Sequence, residues 1–326
     1  MASRMPDIYL NGLAAQVGSE TEHNDAATLG HDEQECARIT SKTGIRQRPI
    51  VAPGELTSDL AIAAVRRLLA DARCATKSID ALLVCTQTPD HLIPGVSSRV
   101  HGALDLPKTC FAVDINQGCS GFIYGLQLAS AMLRAGSASN ALLVNADSYS
   151  RLVRPDDLAT RVIFGDAATA SLLSIQPGGL RLDYVRCYSD GKGYDAFIAR
   201  NSALCVDSAH QRGIYMDGAG ILNFALRVVP EAVEQALTDC GLVREKVRYF
   251  LFHQANSFVI GKLTTKLRLK PEQVPDNCAE LGNTVSASIP LLLQQQLGTL
   301  QPGDLVMAVG FGVGLSWGVA LFEYQP

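Results

Sequence analysis

Short apolar runs separated by amphipathic or small-residue stretches recur along this chain of 326 residues, and their spacing predicts alternating buried strands and helices. The runs at 81–84, 110–115, 141–144, 170–174, 247–252, 305–309 and 317–321 have strand length and little internal polarity, as expected for sheets covered by helices. A helix is expected over 57–72, with Thr57 or Ser58 as its N-cap. A second, over 122–133, is apolar nearly all round and therefore central, and a third is expected over 221–240.

The pattern repeats. A shift of 168 residues brings Ala64-Val65, Leu69, Asp71, Ile79 and Leu83 onto Ala232-Val233, Leu237, Asp239, Val247 and Leu251 without a gap. Each copy reads helix, polar connector, buried strand. A second echo pairs Phe164-Gly165 and the run 170–174 with Phe311-Gly312 and the run 317–321 at an offset of 147, so connecting loops differ in length between copies. Two duplicated α/β halves follow, with no linker that would make them mobile domains. The turn Gln176-Pro177-Gly178-Gly179 divides them into an N-terminal half, 1–175, and a C-terminal half, 176–326.

At 47% hydrophobic residues the chain can bury a large core, and a net charge of −4 without a long basic block argues against a nucleic-acid partner. Nine cysteines, at 36, 74, 85, 110, 119, 187, 205, 240 and 278, include no C-x-x-C pair, which indicates neither a disulfide framework nor a zinc site and points to a reducing compartment. Met1–Met5 contains one Arg with no apolar segment after it, and polar residues interrupt every stretch long enough to span a bilayer. A soluble, cytoplasmic protein with no membrane association is expected.

One cysteine stands apart. Cys119, in Asp114-Ile115-Asn116-Gln117-Gly118-Cys119-Ser120-Gly121, lies between an expected strand and the start of the central helix, where unpaired N–H groups and the helix dipole favour a thiolate. His253 ends a strand-like run in Phe252-His253-Gln254-Ala255-Asn256, and Asn283 follows a glycine in Leu281-Gly282-Asn283-Thr284. Singly, each reads as packing, a satisfied imidazole or a turn. Together with Gly310-Phe311-Gly312-Val313-Gly314 they supply a nucleophile, an imidazole, an amide donor and backbone oxyanion donors for thioester chemistry. The Gly312-Val313-Gly314 segment is not a dinucleotide fingerprint, because it lies between two strands and no helix follows it.

These motifs, in this order and with Thr43-Gly44-Ile45-Arg46, Phe164-Gly165-Asp166 and Tyr215-Met216-Asp217-Gly218, resemble the β-ketoacyl-acyl-carrier-protein synthase III family of thiolase-fold condensing enzymes. The resemblance implies a five-layered αβαβα fold with the active site between the halves. It implies that Cys119, His253 and Asn283 are catalytic and that the N–H groups of Cys119 and Val313 form the oxyanion hole. It assigns Arg46, Ile93 and Phe311 to substrate contacts, and Lys262 and Lys266, four apart on one helix, to docking of an acidic carrier protein; a solvated helix face accounts for the two lysines equally well. The implied partners are an acyl-coenzyme A or acyl-carrier-protein donor, a malonyl-carrier-protein extender and a second copy of the chain. No metal, flavin or nicotinamide is required.

Three departures bear on substrate. Arg38 and Leu158 stand where the bacterial housekeeping enzymes carry the Trp and Arg that sandwich the coenzyme A adenine, which suggests a carrier-bound donor or a different coenzyme A pose. Ile93 stands in place of an aromatic residue that closes the neighbouring subunit's acyl tunnel, which suggests a differently shaped tunnel. Decarboxylative condensation is the leading expectation. Transfer of the Cys119 acyl group to an alcohol, amine or preformed carbon nucleophile in secondary metabolism is the alternative, and a non-catalytic subunit fits least because all three residues are present.

Overall fold

The computed structural model describes residues 6–71 and 75–326, so Met1–Met5, Ala72 and Cys74 lie outside the described residues. Nine strands form one continuous sheet in the order Val247–Phe252, Leu305–Gly312, Ser316–Gln325, Gly179–Ser189, Tyr9–Val17, Ala167–Ser174, Asn140–Asp147, Ala81–Cys85, Phe111–Ile115. Only Tyr9↔Arg181 and Leu10↔Leu180 join the fourth strand to the fifth, so the sheet is two blocks meeting at a narrow seam.

The two-residue period of the strands explains how both faces of each block are used. In the N-terminal block Leu82, Val84, Leu142 and Val144 face the outer helices Thr57–Asp71 and Val96–Ala103, while their neighbours Leu83 and Leu143 face the interior. In the C-terminal block Phe250, Phe252, Met307 and Val309 face helices Gly218–Asp239 and Ser257–Lys266, and Leu251, Val306 and Ala308 face inward. Helices Gly121–Arg134 and Ser288–Gln296 fill the space between, with Phe122, Leu126, Ile289 and Leu292 buried against strands of both blocks. The layers are therefore αβαβα, a thiolase-like arrangement. The sequence repeat has a structural counterpart: helix Thr57–Asp71, turn Thr76–Ser78 and strand Ala81–Cys85 correspond to helix Gly218–Asp239, turn Arg244–Lys246 and strand Val247–Phe252.

Two expectations are corrected. The run 110–115 is not a buried strand: Phe111–Ile115 is the edge of the sheet, paired only with Ala81–Cys85, and Phe111 is 52% exposed. Neither Thr57 nor Ser58 caps its helix. The Thr57 hydroxyl donates to Ser148 Oγ at 2.9 Å, while the Asp59 carboxylate accepts the Leu56 N–H at 3.0 Å and Asp90 accepts the Ser58 N–H at 3.2 Å.

Arg48 ties the N-terminal hairpin to the site region. Its guanidinium is buried, pairs with Glu22, and donates to Asn24 Oδ1 at 3.1 Å and to the Phe164 carbonyl at 3.1 Å. Phe164 in turn bridges Asn283. Removing one partner of a buried pair strands the other charge, so Arg48→Leu is expected to lower stability by roughly 3 kcal/mol, the low end for such pairs because Glu22 keeps some solvent contact. Urea unfolding measures this, and a loss below about 1 kcal/mol, the scale of an exposed pair, contradicts it.

Candidate active site

The chain leaves strand Phe111–Ile115, turns through 116–120 and enters the central helix at Gly121. That places Cys119 just before the first turn, 3% exposed. Strand Leu305–Gly312 passes against it so closely that a Cβ on Gly312 would stand 2.7 Å from Cys119 Cβ and 2.9 Å from Sγ. Only glycine fits. The next residue, Val313, directs its backbone N–H at Sγ beside the N–H of Cys119 itself. The loop is pinned there by a relay in which Ser316 Oγ donates to the Val313 carbonyl at 2.7 Å and shares a 2.7 Å hydrogen bond with Ser120 Oγ.

His253 follows strand Val247–Phe252, its N–H donating to Val309 O at 2.9 Å. Its Nδ1 lies 2.8 Å from Ser288 Oγ, and its ring meets Phe311 edge-on with centroids 5.6 Å apart. The flanking motif residues have structural duties. Gln254 accepts the Asn277 N–H at 3.0 Å and donates to Phe252 O at 2.8 Å, and Asn256 caps helix Ser257–Lys266 by accepting the Val259 N–H at 2.9 Å.

Asn283 is held from both sides. Its N–H donates to Ile163 O at 2.8 Å, its carbonyl accepts the Gly165 N–H at 3.0 Å, and its Oδ1 accepts the Val285 N–H at 2.9 Å. No hydrogen bond from Nδ2 is made among the described residues. Cys119, His253, Asn283, Phe311 and Gly312 line one cavity of about 90 Å³, whose remaining wall comes largely from helix Gly218–Asp239 and the start of helix Ser257–Lys266.

Burial dominates the electrostatics. It pushes the Cys119 thiol up to about 12, outweighing the lowering by the Val313 and Cys119 N–H groups, and a nearby carboxylate, Asp147, adds to the rise. The helix start therefore does not make a resting thiolate, contrary to the sequence expectation, because removal from water costs the anion more than the helix end returns. Burial likewise drives His253 down to about 3, so the imidazole is neutral at pH 7. Asp147, fully buried and raised to about 7 by desolvation, accepts from the Gln87 N–H at 2.8 Å, Thr88 Oγ1 at 3.2 Å and Ser286 Oγ at 3.1 Å. Sequence reasoning missed Asp147 and Ser288, which lie at the end of an apolar strand and in a small-residue run with no motif of their own.

Other predicted contacts lie elsewhere. Arg46 is on the surface, paired with Glu280, and Ile93 is 86% exposed; neither lines the Cys119 cavity. Lys262 and Lys266 are exposed on their helix, with Lys262 Nζ 5.3 Å from the Phe258 ring centre. Leu158 is buried in the C-terminal core, and Arg38 lies on the exposed side of helix Glu33–Thr43.

A buried thiol, an imidazole and an amide donor around one cavity, with two backbone N–H groups on the sulfur, are the groups that thioester acyl transfer requires, here on an αβαβα scaffold. The family model for 3-oxoacyl-[acyl-carrier-protein (ACP)] synthase III matches residues 113–191, and the model for its C-terminal part matches 237–324. The chain is 34% identical to the β-ketoacyl-[acyl-carrier-protein] synthase III of Gloeobacter violaceus, covering 98% of this chain and 99% of that one. It is 38% identical to synthase III 3 of Streptomyces coelicolor over 88% of each chain. A solved 3-oxoacyl-(acyl-carrier protein) synthase from Burkholderia xenovorans superimposes with a TM-score of 0.93 at 32% identity, covering 99% of this chain and 95% of that one. The chain belongs to the β-ketoacyl-acyl-carrier-protein synthase III family.

A thiol with so high a pKa reacts through a thiolate fraction that rises about tenfold per pH unit. Alkylation of Cys119 by iodoacetamide, followed by peptide mass mapping, is expected to accelerate in that way from pH 7 to 10 with no plateau. A plateau below pH 9 contradicts the neutral resting site.

Proposed function

We propose that Cys119 takes an acyl group from a thioester donor and that His253 and Asn283 then support its decarboxylative condensation with a malonyl thioester, giving a β-ketoacyl product. The observation that carries this assignment is the convergence of the three side chains on one cavity beside the Val313 N–H.

In the first half-reaction the Cys119 sulfur attacks the thioester carbonyl as its proton passes to His253 Nε2. The oxyanion is met by the N–H groups of Cys119 and Val313. Collapse expels the donor thiolate, which recovers the proton from His253, and the acyl-enzyme remains. In the second, the malonyl carboxylate leaves as CO2, and its bonding electrons form an enolate whose oxygen is met by Asn283 Nδ2–H and His253 Nε2–H. The enolate carbon attacks the acyl carbonyl, the tetrahedral adduct collapses with cleavage of its bond to sulfur, and the departing Cys119 thiolate takes up a proton from solvent to restore the resting thiol.

His253 acts as acceptor in one step and donor in the other, and Ser288 supplies the means. Its single hydroxyl proton lies within reach of two acceptors, Val285 O at 2.9 Å and His253 Nδ1 at 2.8 Å. With that proton on Val285 O, Nδ1–H donates to Ser288 and Nε2 carries a lone pair. With it on Nδ1, Nε2 carries the proton. Both roles are thus open to a neutral imidazole.

The donor's pantetheine arm enters between helices Gly218–Asp239 and Ser257–Lys266, past apolar Ile221, Leu222 and Val259. Lys262 and Lys266 on the second helix suit an acidic carrier protein at that mouth. The burial of Leu158 leaves no arginine there to clamp an adenine, which favours a carrier-bound donor. Among the described residues no helix is long and apolar enough to cross a membrane.

The edge strand Phe111–Ile115 and exposed Leu92 and Ile93, 66% and 86% accessible, support a homodimer. Sedimentation equilibrium is expected to give twice the chain mass, and Phe111→Lys to shift it toward the monomer; a monomeric wild type at micromolar concentration removes the dimer.

Intact-protein mass spectrometry with coenzyme A and carrier-protein donors is expected to show one acyl adduct, absent in Cys119→Ala and discharged by malonyl-carrier protein. Asn283→Ala is expected to slow discharge roughly 10²–10³-fold, as for loss of one oxyanion donor, and to slow it more than acylation; His253→Ala is expected to slow both. An adduct that malonyl-carrier protein cannot discharge moves the assignment to transfer onto another nucleophile.

A further inference from the structure

A second cavity, of about 170 Å³, lies beside Val313. Phe197 lines both cavities, so the two adjoin. The Cys119 cavity is walled mostly by apolar side chains; this one has Gln87, Asn116, Tyr149 and Ser202 facing Ile214 and Leu152. Gly118, the residue before Cys119, is in such close approach to the Gln87 amide oxygen and the Val313 side chain that no Cβ fits there, so two lining residues of this cavity abut the loop that carries the nucleophile.

The polar side chains form a directed relay. Tyr149, 3% exposed, donates its hydroxyl proton to Gln87 Oε1 at 2.6 Å, and Gln87 Nε2 donates to Asn116 Oδ1 at 3.1 Å. The acceptor oxygens of both amides are thereby occupied within the relay. What remains are donors on two side chains that line the cavity, half-buried Gln87 and exposed Asn116: the second Gln87 N–H and both N–H bonds of Asn116 make no hydrogen bond among the described residues. The Tyr149 ring is fixed by Phe164 and Phe197, with centroids 5.0 and 6.4 Å away, so the relay cannot swing aside.

We propose that Gln87, Asn116 and Tyr149, in the cavity taken here as the acyl-chain site, select a short acyl donor bearing a neutral oxygen, a hydroxyl or keto group, over the plain hydrocarbon chain. The inference rests on the condensing-enzyme assignment above. A cavity of about 150 Å³ takes up a six-carbon ring, so this one holds about six heavy atoms before opening into the larger adjoining space. A hydrocarbon placed there strands amide donors that water had satisfied, whereas an oxygen on the chain accepts from them.

The test is acylation of Cys119, followed by mass spectrometry, with butyryl, 3-hydroxybutyryl, hexanoyl and 5-oxohexanoyl groups, each as its coenzyme A and its carrier-protein thioester. At least one oxygenated donor is expected to exceed its hydrocarbon counterpart tenfold or more in kcat/KM for acylation. Gln87→Met and Tyr149→Phe, which keep volume and ring packing, are each expected to cut that ratio at least fivefold. Equal rates for the members of each pair, or an equal loss on both donors in the two variants, overturn the selection while leaving the enzyme assignment intact. Absence of a Cys119 adduct with every donor overturns both.

Discussion

The contact between the Gly312 backbone and Cys119 is the constraint on which the site depends. A glycine is required because Cβ and Sγ of the cysteine occupy the space a side chain would need, and that contact brings the N–H of Val313 onto the sulfur. The contact is possible because strand Leu305–Gly312 is held in register by Ser316–Gln325, down to the last pairs Phe311↔Trp317 and Gly312↔Ser316. Ser316 then reaches across to Ser120, one residue from the nucleophile. The two N–H groups on the sulfur are thus fixed by strand pairing and helix packing within the fold itself, which is the condition under which the oxyanion donors proposed above would be most effective.

The same close packing sets the charge state. With water excluded, each ionisable group is driven toward its neutral form: the thiol upward, the imidazole downward, the Asp147 carboxylate upward. Burial thus disfavours a resting thiolate–imidazolium pair. Asp147 accepts from donors on two segments, one bearing Gln87 and the other Ser286, and so ties the Gln87 segment to the one between Asn283 and helix Ser288–Gln296.

Much of this was legible in the sequence because it is local. Cys119, His253 and Asn283 each sit at the end of an apolar run or beside a glycine, and the helix–turn–strand repeat survives as a fixed offset. What escaped the sequence depends on partners brought together by the sheet. Tyr149 and Gln87 are 62 positions apart, and Ser288 lies 35 from His253, with no spacing rule to pair them. The exposed edge at Phe111 was misread because apolar content reports burial in the assembly a strand serves, whereas position within a sheet is set by pairing. The thiolate expectation failed for a related reason: a helix start is visible in sequence, but the depth at which it is buried is not.

The duplicated architecture accounts for the division of labour. Helices Gly121–Arg134 and Ser288–Gln296 share the middle layer, and each is preceded by a segment that brings a side chain to the same cavity: Cys119 from one, Asn283 from the other. Strand Val247–Phe252 is the counterpart of Ala81–Cys85, and at the 168-residue offset the position of His253 is that of Cys85, so an imidazole ends one copy where a buried thiol ends the other. Cys119 therefore stands near two cavities of different character, one lined mostly by apolar side chains and the other by Gln87, Asn116, Tyr149 and Ser202 among its wall residues.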